Sequence, residues 1–165
     1  MKNNAHLRQL VDWKATIIAG FSGGLISFFL NMVLTKITLG SAQLFYKLEA
    51  SLILGEKFLY TSETNMILVF FLGLVIHLIL SIVFAIILTT IIHRWGLLVG
   101  IIGGAIFGLS LYIINFHLLS YYFPWFYPLK NWMFLVSHVI YGASVGGIYE
   151  LLEVERYVIS DRKEA

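Results

Sequence analysis

The sequence predicts an all-α integral membrane protein, a four-helix bundle built from two helical hairpins that repeat in parallel. Three observations point there. Of the 165 residues, 59% are apolar and 12% charged, with a mean hydropathy of +0.88. A soluble domain of that composition would be left with apolar surface it could not bury. Four apolar segments, at about residues 15–35, 66–92, 97–120 and 131–150, each reach the roughly 20 residues a helix needs to cross hydrocarbon. The halves also open alike: Gly20-Phe21-Ser22-Gly23-Gly24 begins the first and Gly100-Ile101-Ile102-Gly103-Gly104 the second, while His77 and His138 sit in the second helix of each.

The first span is too long an apolar run for a signal peptide, whose core is usually about 7 to 15 residues, and no small-residue cleavage site follows it. It is expected to stay as a helix of the protein, a plain signal anchor being the simpler version of the same reading. Lys2, Arg8 and Lys14 precede it, Arg94 separates the second and third spans, and Arg156, Arg162 and Lys163 follow the fourth. The opposite connections carry Lys36, Lys47, Lys57 and Lys130. Retention of positive charge on the inner side leads to the expectation that both termini are cytoplasmic.

The long first connection is too polar to cross. Leu44, Leu48 and Leu52 recur every fourth residue beside Phe45, with Lys47, Glu49, Glu56 and Lys57 supplying charge. This predicts an amphipathic interfacial helix that serves as a connector or as a cover. The second span is longer than a bilayer requires, so tilt or projection beyond the hydrocarbon is expected. After the third, Tyr121, Tyr122, Phe123, Trp125, Phe126, Tyr127 and Trp132 crowd around Pro124 and Pro128. The prolines end the helix, and the rings form either an aromatic belt at the headgroups or a ligand-binding rim.

Glycines indicate how the helices meet. Gly96, Gly100, Gly104 and Gly108 form a ladder on the third helix, Gly142 and Gly146 with Ala143 and Gly147 repeat it on the fourth, and Gly20 and Gly24 with Gly23 and Ser27 do so on the first. Small residues four apart let backbones approach closely.

Polar residues inside the spans are few. Converted to depth at about 1.5 Å per residue, Asn31, His77, Asn115, His117 and His138 all fall in the outward half, with Ser81 one turn from His77. The glycines of the first and third helices fall in the inward half. A close-packed inner half and an outward polar cluster of Asn31, His77, Ser81, Asn115, His117 and His138 are expected. Such groups usually face the bundle interior, although each residue taken singly could simply bond a neighbouring helix. His6 and His93 flank spans and are expected to be solvated.

The cluster supports three readings. Imidazoles titrate near neutral pH, so they could respond to protons or hold a small ligand. A structural or accessory subunit of a larger membrane complex, or a homo-oligomer, would explain the abundant packing faces. Bis-histidine ligation of haem b by His77 and His138 is the third. No catalytic motif appears in a usable context, which points away from an enzyme. The lack of cysteine excludes disulfides and thiolate chemistry, and the absence of nearby carboxylates within the spans argues against a hydrolytic metal centre. A net charge of +2 gives no case for nucleic acid; the expected partner is the lipid bilayer.

Ile76-His77-Leu78-Ile79-Leu80-Ser81-Ile82-Val83-Phe84-Ala85, Gly96-Leu97-Leu98-Val99-Gly100, Pro124-Trp125-Phe126 and Ser137-His138 resemble the YagU-like inner-membrane proteins of bacteria. The resemblance covers about residues 66–150 and loosens at Asn115-Phe116-His117 and Tyr141-Gly142. It implies a role in acid resistance, with no catalytic residues to carry over.

Overall fold

The computed structural model describes residues 6–60, 65–93, 95–154 and 156–160. In chain order these form β1 (His6–Leu10), α1 (Trp13–Leu39), α2 (Gln43–Leu54), α3 (Met66–Ile92), α4 (Leu97–Ile113), α5 (Ser120–Tyr122), α6 (Trp132–Leu152) and β2 (Arg156–Ser160). A π-helical segment, Ile114–Leu119, joins α4 to α5 without a break in the rod. Four helices are long and apolar enough to cross a membrane: Trp13–Leu39, Met66–Ile92, Leu97–Tyr122 and Trp132–Leu152. The protein is therefore a multi-pass membrane bundle.

Helix starts follow from local chemistry. Asp12, Asn65 and Asn131 are extended residues whose side-chain oxygens accept backbone N–H groups at 3.0–3.4 Å in the first turns of α1, α3 and α6. Those N–H groups have no partner within the helix and would otherwise be left unsatisfied. Gly40 ends α1 in the left-handed region at φ 80°, a conformation that glycine adopts without strain.

Apolar residues point outward along the rods: Ile37, Ile67, Ile91, Leu98 and Ile106 are all more than 60% exposed. This inverts the pattern of a water-soluble bundle and suits lipid contact. Inside, the two hairpins pair α1 with α3 and α4 with α6, and α1 joins them along α6. The fourth seam, between α3 and α4, is sparsely occupied, so the two-plus-two repeat is only approximate.

Contact between α4 and α6 is backbone on backbone. A Cβ at Gly104 would strike the carbonyl of Gly142, one at Gly146 the carbonyl of Gly100, and one at Gly108 the carbonyl of His138. On the other side Gly20 faces Ala85 and Gly24 faces Ser81, where an added Cβ would lie 2.8 Å from Ala85 Cβ and 2.7 Å from Ser81 Oγ. Gly96 departs from the expected ladder. It precedes α4 at φ 76° with nothing near its missing Cβ, so it serves the turn and not the packing.

The helix expected in the first long connection forms as α2 and has a buried face. Phe45, Tyr46, Leu48, Glu49, Ala50 and Ser51 are all buried. Its backbone rides directly on α3, where a Cβ at Gly73 would strike the Tyr46 carbonyl. This helix is thus joined to the bundle as well as amphipathic. A short antiparallel ribbon, unforeseen in the sequence, pairs β1 with β2, His6 lying opposite Ser160 and Leu10 opposite Arg156. Asp12 ties the same end further, its Oδ2 accepting from the backbone N–H of Val154 at 3.1 Å. The orienting charges Lys2, Arg94, Arg162 and Lys163, and the side chains of His6, Arg8 and Arg156, lie outside the described residues.

Candidate functional site

Between the glycine contacts and the connections that hold α2 and the aromatic turn, the helices part around a cavity of about 150 Å³. The four spans, α2 and the turn through Phe123, Phe126 and Leu129 all contribute to its wall. Each half of the chain supplies one imidazole.

His77, on α3, sits between the rings of Phe28 and Phe45 at centroid distances of 5.4 and 5.7 Å. Its Nδ1 lies 3.1 Å from Oε1 of Glu49 on α2, and the two side chains are only 13% and 11% exposed. Its Nε2 is buried and has no hydrogen-bond partner among the described residues. His138, on α6, sits between Tyr112 and Phe116 at 5.7 and 5.5 Å. Its Nδ1 donates to the Phe134 carbonyl at 2.8 Å, which leaves Nε2 of the neutral ring as an acceptor, 3.4 Å from Asn115 Nδ2. Both rings are therefore anchored through Nδ1 and boxed by aromatic neighbours.

The remaining polar groups form two threads across helices. Ser137 donates to Asn31 Oδ1 at 2.6 Å, and Asn31 Nδ2 donates to Ser27 at 3.3 Å. Ser81 donates to the Gly20 carbonyl at 2.6 Å, and the Tyr141 hydroxyl donates to the Ser81 carbonyl at 2.8 Å. Each thread satisfies polar atoms that hydrocarbon could not.

Of the residues singled out in the sequence, Asn31, His77, Ser81, Asn115 and His138 line this one cavity. His117 does not; it is exposed on the outside of the bundle. The π-helical stretch keeps Asn115 and Phe116 in the wall while the next residue turns away. His93 was expected to be solvated, but it is buried, with Nδ1 3.1 Å from the Thr90 carbonyl at the end of α3. The aromatic turn divides between its two expected uses. Tyr121, Tyr122, Tyr127 and Trp132 are at least 65% exposed, as belt residues would be. Phe123 and Phe126 face the cavity, and Trp125 Nε1 donates to Ser51 of α2 at 2.9 Å.

Sequence reasoning missed Glu49, Tyr141 and Ser137. Glu49 reads as part of a solvated charged face until α2 is packed. Its one advance signal is Gly73, a lone glycine in the otherwise bulky first half of α3 and the point where another backbone can come close. Tyr141 and Ser137 had a helical signal: Ser137, Tyr141 and His138 lie within one turn of one another on α6. Among the described residues, no three His, Asp or Glu side chains come together as a metal-ligand set. No family model, curated protein or solved structure matches the chain.

Proposed function

We propose that this is a non-enzymatic inner-membrane protein that responds to protons through the Glu49–His77 pair in an outward-facing cavity able to hold a small ligand. The observation that carries the reading is that pair: a carboxylate from α2 meets an imidazole of α3 inside the bundle, so any change in its charge acts on how α2 is held. The titratable groups that share the cavity wall are His138 and Tyr141 of α6; α1 and α4 contribute only uncharged Ser27, Asn31 and Asn115. The positive-residue bias supports cytoplasmic termini, and with them a cavity facing the outside, where acid arrives. The resemblance to YagU-like proteins, with its link to acid resistance, agrees with such a role.

An ionised Glu49 beside a protonated His77 makes a charge-assisted bond, whereas a neutral pair keeps only an ordinary hydrogen bond. The charge state of the pair therefore alters how firmly α2 is held against α3.

Thermal unfolding of the full chain in mild detergent, followed across pH by tryptophan fluorescence, tests this. Unfolding of the wild type should depend on pH, and His77→Gln and Glu49→Gln should each flatten that dependence. Single variants that keep the wild-type profile would sink the proposal.

The accessory-subunit alternative has the exposed apolar faces in its favour, yet one chain completes the cavity without a partner. The haem alternative has two imidazoles with Nδ1 already anchored, as ligating histidines often are. Its difficulty is space: an engineered cavity of about 150 Å³ accommodates benzene, and a macrocycle of four pyrroles is several times larger.

A further inference from the structure

The cavity wall has an uneven charge. Among the described residues, Glu49 is its one carboxylate, and neither lysine nor arginine lines it. The same wall carries Phe45, Phe116, Phe123, Phe126, Phe134 and Tyr141. A negative group within π surface favours an organic cation, because both the charge and the negative faces of the rings attract it. The space fits one aromatic ring. Within the cavity, Glu49 already has a partner that a cation would have to replace: His77 Nδ1 lies 3.1 Å from its Oε1. Asn31 and Asn115 supply amide oxygens and N–H groups but no charge.

We propose that the cavity binds a single-ring organic ammonium ion, its charge set against Glu49 and its ring among the phenylalanines. Binding takes the Glu49 carboxylate from His77 Nδ1. This deepens the proton-responsive reading and rests on it, because the same carboxylate serves both partners. No covalent step is involved: the ammonium brings its own charge and replaces the imidazole N–H as donor to Glu49.

Binding of benzylamine, benzyl alcohol and benzoate to the full chain in detergent, measured by calorimetry at about pH 8 and about pH 5.5, tests the proposal. Benzylamine is protonated at both, as an alkylamine with a titration point near that of lysine must be. At the higher pH it should bind at least about tenfold more tightly than benzyl alcohol, and benzoate should not bind. Acidification should weaken the amine and leave the alcohol unchanged. Glu49→Gln should abolish the preference for the amine while retaining the alcohol, which also shows that the variant is folded. His77→Gln should keep amine binding and remove its dependence on pH. Equal affinity for amine and alcohol, tighter binding of benzoate, an unaltered preference in Glu49→Gln, or no binding of any probe would each overturn the ammonium site. In those cases a pH dependence of unfolding that still requires His77 and Glu49 would leave the proton-responsive reading standing, and its loss would remove both.

Discussion

The end of the bundle that carries the chain termini and the end that carries α2 are built from the same four rods by opposite means. At the first, glycine on α4 meets glycine on α6, and the backbones touch with no side chains between them. At the second, Ser, Asn and His take those positions, the rods part, and hydrogen bonds replace contact. Gly108 marks the change. Its missing side chain accommodates the carbonyl of His138, while the His138 ring belongs to the cavity. Rigid packing of one end holds the polar groups of the other in register, so the site inherits its geometry from glycines that do not themselves line the cavity.

The sharpest way to break this contrast is Gly104→Leu. The obstruction is the backbone of Gly142, which has no flexible end to give way, so a loss of roughly 3 kcal/mol or more is expected, seen as failure to recover monodisperse protein. Gly96→Ala separates packing from backbone conformation: nothing among the described residues crowds the site, and only the extended positive-φ backbone is strained, at a cost of about 1 to 3 kcal/mol in thermal unfolding. At the polar end, Ser137→Ala leaves Asn31 Oδ1 without its donor, for an expected loss near 0.6 kcal/mol, about the average for a bond between membrane helices. His117→Ala should change unfolding by less than about 0.5 kcal/mol. If it instead matched the serine variant, the boundary of the site would have to be redrawn to include the outer face of the π-helical stretch.

How legible this division was in the sequence depends on the kind of signal. Hydropathy is a sum over many residues, so the four spans were readable to within a few residues at most ends. Glycine spacing was readable because only close approach calls for it, although Gly96 shows that a turn can extend the same spacing by chance. Depth along each helix was enough to bring Asn31, His77, Ser81, Asn115 and His138 together, since polar groups in hydrocarbon have few places to go. Glu49 was not legible. A short amphipathic helix reads the same whether its polar face meets water or a polar cavity, and only the partner surface on α3 decides. The terminal ribbon was hidden for a related reason: strand pairing between residues 6–10 and 156–160 depends on the bundle first bringing the two ends together.

The thin seam between α3 and α4 has a consequence for how the cavity is reached. Where neighbouring rods interlock, a solute must come from water past α2 and the aromatic turn. Here Leu80 and Phe84 of α3 and Leu111 of α4 line the cavity from the two sides of the seam, with Leu80 still 37% exposed. Were a molecule dissolved in the leaflet to enter through that seam, its supply would be set by partitioning into the bilayer. Adding carbon to a guest's apolar portion would raise occupancy even where the fit inside is unimproved.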